Sequence, residues 1–473
     1  MRNPVCRLVL LAACLPSLTG NGAEPPPSAD KVAAEMKRAA EFYRTRVATH
    51  GGYVYYYSPD LKRRMGEGVA SADQIWVQPP GTPTVGLAYL AAWTATKDAW
   101  YLEAATETAR ALAFGQLKSG GWTNCIDFDR RGSLLADYKN GQGRGKNNST
   151  LDDNISQSAL ICLMRVDQAL DFKDAEIHAA ASSALDALLA AQFANGGFPQ
   201  VWTGPVEDRP VVPAKYPDYD WRTENRIKAY WTMYTLNDGL AGDVAQTLIA
   251  AHEIYQDGRA EKALQELGDF LVLAQMPDPQ PAWAQQYDVE MRPIWARKFE
   301  PPAIAGRESQ DAIAALLLIY RQTGDAKYLQ PIPRAIEYLR KSLLADGRLA
   351  RYYELQTNRP LYMTSKYVLT YDDADVPRHY GWKGDSRLDN LNRQYQSLSS
   401  GKAETATSSS KSNQTRQVGD ILAALDSQGR WLSTYDGSPM VGQPKFRPDE
   451  QYLSSEVFSR NLTVLSEFLA SQR

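Results

Sequence analysis

Two short acidic segments carry the residue types best suited to chemistry in this chain. "STLDDNISQSAL" sets Asp152 and Asp153 just before a run whose apolar residues recur at helical spacing, and "YTLNDGLAGDVAQTL" sets Asn237 and Asp238 before another. An Asp or Asn at a helix start ordinarily caps it, accepting hydrogen bonds from free first-turn N–H groups for about 1 kcal/mol. Two clusters that open successive repeat units would also lie at the same end of a ring of helices. Hard oxygen donors grouped in that way select Ca²⁺, and four histidines in the whole chain are too few for zinc. The same aspartates could instead serve as the acid and base of an inverting glycoside hydrolase, Asp152 or Asp153 on one side and Asp238 on the other. A third segment, "WARKFEPP" (295–302), places Arg297 beside Lys298 and is followed by Glu300 and two prolines. It reads as loop punctuation with an Arg297–Glu300 ion pair, or as a restricted backbone that holds a reactive side chain still. No phosphate loop, dinucleotide fingerprint, HExxH or GxSxG is present.

The elements that must position these residues repeat along the chain. "HGGYVYYY", "SGGWTN" and "NGGFPQVW" share a Gly-Gly-aromatic signature, with the second glycines (Gly52, Gly121, Gly197) 69 and 76 residues apart. "PQPAWAQQYD" from Pro279 and "DGRLARYYE" from Asp346 are looser copies. Between them run pairs of helical segments joined by short polar turns, three of them closing on Gln116, Gln192 and Gln275. Such periodicity predicts an all-α helical toroid of repeated helix pairs (an α/α barrel), with the short irregular loops and strands lining a groove at one end. Trp122, Phe198, Trp202 and Trp283 would either cap the core beneath these loops or offer faces to sugar rings.

The bulk composition and the ends bound the remaining classes. Residues 1–23, with two arginines, an apolar run and a Gly22-Ala23 boundary, read as an export signal, which implies a secreted or periplasmic protein. Lipidation at Cys14 is the competing reading of the same leader. No later stretch is apolar enough to span a bilayer. The net charge of −3 gives no footprint for nucleic acid. Cys125 and Cys162 are the two cysteines beyond the leader, and spacing does not decide whether they pair. Residues 24–473 read as a single toroid domain, with a flexible polar insertion near 397–416, a last helix over roughly 451–471 and a monomeric state.

Five motifs, in order across about 210 residues, resemble those of the family 10 polysaccharide lyases, which are pectate lyases: "TLDDN" (150–154), "GGFPQ" (196–200), "TLND" (235–238), "ARKFEPP" (296–302) and "RYYELQTNRP" (351–360). The resemblance implies calcium-dependent β-elimination of polygalacturonate or a related acidic polysaccharide. It implies Asp152 and Asp238 as calcium-site carboxylates, with Asp153 beside them as a third metal candidate, and Arg297 as the base that removes the C5 proton. It further implies Arg351 as a substrate-carboxylate binder, and Arg359, in the same motif, and Asn237 join it as substrate-contact candidates. Asp153 stands where the family has Asn, unless Asp153-Asn154 is the matching pair. The arginine expected after Asn-Arg-Pro is missing, and Ser365 or Lys366 stands there, so Lys366 becomes a substrate-contact candidate. An arginine base requires a lowered pKa, which neighbouring positive charge would supply. A non-catalytic polyuronate-binding relative is the third alternative.

Overall fold

The computed structural model describes residues 27–223, 227–401 and 411–473. The leader, residues 1–23, lies outside them. Twelve α-helices run through the described residues: α1 (Ala29–Phe42), α2 (Thr82–Thr96), α3 (Ala99–Phe114), α4 (Ile155–Ala169), α5 (Ala175–Ala190), α6 (Leu240–Tyr255), α7 (Gly258–Ala274), α8 (Gly306–Thr323), α9 (Ile332–Lys341), α10 (Leu388–Ser399), α11 (Lys411–Ala423) and α12 (Ser455–Ser471). Helices α2, α4, α6, α8 and α10 pack successively on one another, and α12 closes on α2. Helices α3, α5, α7 and α9 back this inner row, while α1 and α11 back α12. The result is the helical toroid expected from the repeats.

Each inner-to-outer turn is cut by an aspartate that does cap. Asp98, Asp174 and Asp257 accept the first-turn N–H groups of α3, α5 and α7. At the opposite end, the first three returns to the inner row pass through a Gly-Gly loop. Its first glycine has a left-handed backbone: Gly51 at φ +79°, Gly120 at +95° and Gly196 at +87°. A Cβ on Gly196 would lie 1.8 Å from the Glu266 carbonyl oxygen on α7, so the loop can pack there only with glycine. The recurrent glutamines hold these loops. Gln116 Nε2 donates to the Gly120 and Ala180 carbonyls at 2.8 and 2.9 Å, and Gln192 Nε2 to those of Gly196 and Ala263 at 3.0 and 2.9 Å. Gln275 does the same with Pro281 and Pro331.

The loop aromatics belong to the core. Trp122 and Trp283 are fully buried, and their indole N–H groups donate to Leu112 and Leu271 carbonyls at 2.8 Å. Phe198 and Trp202 are buried too. Their alternative role as sugar-stacking faces is therefore excluded: all four rings are buried, and the Trp122 and Trp283 indoles are tied to helix ends beneath their loops. Cys125 and Cys162 are free, buried thiols. The polar stretch near 397–416 falls partly outside the described residues. Its described ends are helical, 397–399 closing α10 and 411–416 opening α11. No helix among the described residues is long and apolar enough to cross a membrane.

Candidate active site at the loop end of the toroid

The two acidic segments adopt one conformation. Ser149–Thr150 pairs antiparallel with Val201–Trp202, and Tyr234–Thr235 with Gln286–Tyr287. The next N–H groups, of Leu151 and Leu236, donate to the Gln200 and Gln285 carbonyls at 2.8 and 2.9 Å. A single 3₁₀ turn follows in each case, Asp152–Asn154 and Asn237–Gly239, and then α4 or α6 begins. Two left-handed residues kink each junction: Asp153 (φ +45°) with Asn154 (+60°), and Asp238 (+51°) with Gly239 (+78°). Asp153 thus corresponds to Asp238 within the chain, and Asp152 to Asn237. Left-handed backbone is cheapest for Asp, Asn and Gly, the residues found here. The kink carries the carboxylates away from the helix N–H groups, and no side-chain cap forms at either α4 or α6. The helix-capping reading fails for both pairs.

Freed from capping, the carboxylates converge. One oxygen from each of Asp152, Asp153 and Asp238 lies within 4.8 Å of the others. Burial, then Asp153 and Asp238, push the Asp152 carboxyl up to about 7. Desolvation and Asp238 push Asp153 up to about 6. Gln78 Nε2 donates to Asp153 Oδ2 at 3.0 Å, and Arg307 Nη1 to Asp238 Oδ1 at 2.8 Å. Three mutually repelling carboxylates with uncommitted lone pairs make a donor set suited to a hard divalent cation.

Arg297 sits half-exposed in its loop, on a buried partner. Its Nε and Nη2 donate to the two oxygens of Glu300 at 2.9 and 2.6 Å, and its backbone N–H donates to Glu300 Oε2 at 2.9 Å. The Arg297–Glu300 ion pair is real, yet it is a bidentate clamp on a carboxylate only 2% exposed, not a loose surface contact. Burial opposes the charge on Arg297, but the Glu300 hydrogen bonds and charge outweigh it and hold the guanidinium well above its ordinary pKa. Within the protein itself, the group nearest Arg297 is an anion.

A hydrogen-bonded chain links this clamp to a second buried arginine. Tyr380 Oη donates to Glu300 Oε1 at 3.0 Å and meets Tyr352 Oη at 2.7 Å, and Tyr352 Oη donates to Gln285 Oε1 at 2.7 Å. Arg351 Nη2 reaches Gln285 and Asn237 at 3.4 Å each and pairs with buried Glu308 at 2.8 Å. Burial raises Glu308 to about 7 although Arg351 opposes the shift. Arg307, Arg351 and Asp311 line a groove of about 410 Å³.

The fold thus brings Asp152, Asp153 and Asp238 into one cluster and joins Arg297, Arg351 and Asn237 in one network. It leaves two candidates outside: Arg359 is exposed and stacks 3.4 Å over the Tyr371 ring, and Lys366 is exposed between strands Pro360–Met363 and Leu369–Thr370. Sequence reasoning missed Arg307 and Glu308. Their signal lies in the repeat itself: Gly306 N–H donates to the Arg351 carbonyl at 3.0 Å, as Leu151 and Leu236 do to their partners. Arg307 and Glu308 therefore follow the junction where Asp152-Asp153 and Asn237-Asp238 follow theirs.

Residues 116–348 match the family model described as pectic acid lyase. No curated protein matches the chain. Among solved structures, the family 10 polysaccharide lyase from Cellvibrio cellulosa is 18% identical, over 65% of this chain and 95% of that one, with a TM-score of 0.48. A mutant of it in complex with a trigalacturonic acid is 17% identical over 61% and 92%, also at 0.48. A D-mannose isomerase is 11% identical over 94% and 98%, at 0.46. The matched stretch, residues 116–348, holds Asp152, Asp153, Asn237, Asp238 and Arg297, so the candidate cluster and the Arg297 loop lie within what resembles a pectic acid lyase.

Proposed function

We propose that this protein is an exported, calcium-dependent lyase that cleaves polygalacturonate or a closely related polyuronate by β-elimination. The observation that carries this reading is the three-carboxylate cluster at the same loop end as a clamped arginine with unused hydrogen-bonding capacity. Asp152, Asp153 and Asp238 would hold the calcium ion, which supplies positive charge where a uronate carboxylate delocalises the charge of a C5 carbanion. Glu300 takes Nε and Nη2 of Arg297, so the guanidinium plane is fixed and Nη1 is left for the sugar. A neutral Arg297 removes the C5 proton. The C4–O4 bond breaks, a C4–C5 double bond forms, and the leaving oxygen takes a proton from water. Arg351, with Asn237 beside it, offers a fixed cation to a substrate carboxylate. Because Glu300 favours the protonated arginine, the reaction runs best in alkaline solution.

The raised Asp152 pKa of about 7 would also suit the general acid of a glycoside hydrolase. The geometry counts against the inverting form, which needs roughly 6.5–9.5 Å between carboxylates to admit a water. These oxygens lie within 4.8 Å. The test is product chemistry on polygalacturonate. Ultraviolet absorbance from a conjugated uronate, abolished by EDTA, supports the lyase. Reducing ends without absorbance indicate hydrolysis, and binding without turnover at any pH indicates a non-catalytic polyuronate-binding protein.

A further inference from the structure

The loop that holds Arg297 also forms one wall of a second groove, of about 460 Å³, lined in part by Arg222, Trp295, Lys298, Glu354, Tyr367 and Tyr371. Three cations ring it, each held against an aromatic face. Lys298 Nζ lies 3.7 Å from the Tyr367 ring centroid, Arg222 4.8 Å from that of Trp221, and Arg359, at the rim, 3.4 Å from that of Tyr371. Among the described residues, Lys298 and Arg359 have no carboxylate partner. The acid in the groove, Glu354, is 2% exposed and fully engaged. Its Oε1 accepts from Arg222 at 2.8 Å and Tyr371 at 2.6 Å, and its Oε2 accepts from Thr357. Glu354 therefore organises the cationic wall without presenting a free negative charge. Trp295 Nε1 donates to the Trp221 carbonyl at 2.8 Å, which ties the Arg222 segment to the Arg297 loop. Phe299, between the two sides, stacks on Tyr367 at 5.9 Å and lies 5.0 Å from the Arg297 guanidinium.

Positive charges on rigid aromatic supports, over a floor that includes Leu361 and Met363, suit one ligand chemistry: a sugar ring that carries a carboxylate. We infer that this groove is a distal subsite for a further uronate residue of the polymer, with Lys298, Arg222 and Arg359 as its carboxylate contacts. The inference rests on the polyuronate reading above. It gives Arg359 a place, and it explains why Lys298 faces away from the Arg297 side of the loop.

The test is calorimetric titration of hexagalacturonate and digalacturonate in an Arg297→Ala background, which leaves both ligands intact. Lys298→Met keeps the apolar stem and breaks no ion pair, so it guards against misfolding of Arg222→Met, which strands Glu354. Each substitution is expected to weaken hexamer binding about tenfold more than dimer binding, and the effect should shrink with added salt. Equal losses for both lengths, no loss, or no oligogalacturonate binding by the background protein would overturn the subsite. The polyuronate-lyase reading fails separately: absence of unsaturated product from the Arg297-bearing protein would sink it, while a length-dependent loss would still establish the subsite.

Discussion

At the scale of single residues, the site is governed by which charges are already spent. Arg297 gives two donors to Glu300 and keeps one nitrogen for substrate, so Arg297→Ala should lower kcat about a thousandfold. Circular dichroism and calcium titration should remain close to wild type. Glu300→Gln tests the clamp with a definite sign. The Glu300 charge holds the proton on Arg297, so its removal lowers the arginine pKa and raises the neutral fraction at any given pH. The rising limb of the pH–rate profile should therefore move to lower pH by about one unit; an unmoved limb would show that Arg297 does not titrate in the reaction. Asp238→Asn should weaken calcium binding at least about tenfold, read by calorimetry, because it removes one carboxylate of a three-carboxylate set. The acidic cluster was legible in the sequence because Thr-Leu-x-Asp occurs twice at equivalent helix starts. The Arg297–Glu300 ion pair was legible as one of two readings, but its burial and its effect on the pKa were not. Tyr380, which donates to Glu300, and Tyr352 beyond it come from a distant segment, and local spacing does not encode their arrival.

At the scale of elements, the repeated unit is a strand bridge, a kinked turn and an inner helix, and its glycines are structural. Gly196→Ala places a Cβ against the Glu266 carbonyl at a left-handed residue, and should cost at least about 2 kcal/mol in chemical denaturation. Gly258→Ala, at the open start of α7, should cost nothing measurable. The spacing of glycine, glutamine and aromatic residues made these units readable, since each type answers a fixed local need: a left-handed turn, a bridge between two carbonyls and a buried plug. The aromatics themselves were ambiguous. Whether an indole faces a sugar or a helix end depends on which carbonyl takes its N–H, and spacing does not encode that. The third junction, at Gly306, escaped notice because glycine replaces the apolar residue of the other two.

At the scale of the whole molecule, ring closure joins distant parts of the chain. Helix α12 packs on α2, Tyr56–Tyr57 pairs with Gln451–Ser454, and Ser455 Oγ donates to the Val54 carbonyl at 2.6 Å. Deletion of residues 451–473 should therefore abolish a single cooperative unfolding transition, observable by thermal circular dichroism, and not merely trim a tail. The all-α toroid was legible from helix pairing alone, whereas the way its loop end combines acids and arginines required the closed ring. The central claim is that this loop end performs calcium-assisted β-elimination. The most direct test follows ultraviolet absorbance on polygalacturonate at alkaline pH, with wild type and Arg297→Ala, each with calcium and with EDTA. Absorbance is expected to grow for wild type with calcium alone; equal growth in EDTA, or undiminished growth by Arg297→Ala, would contradict calcium-assisted β-elimination.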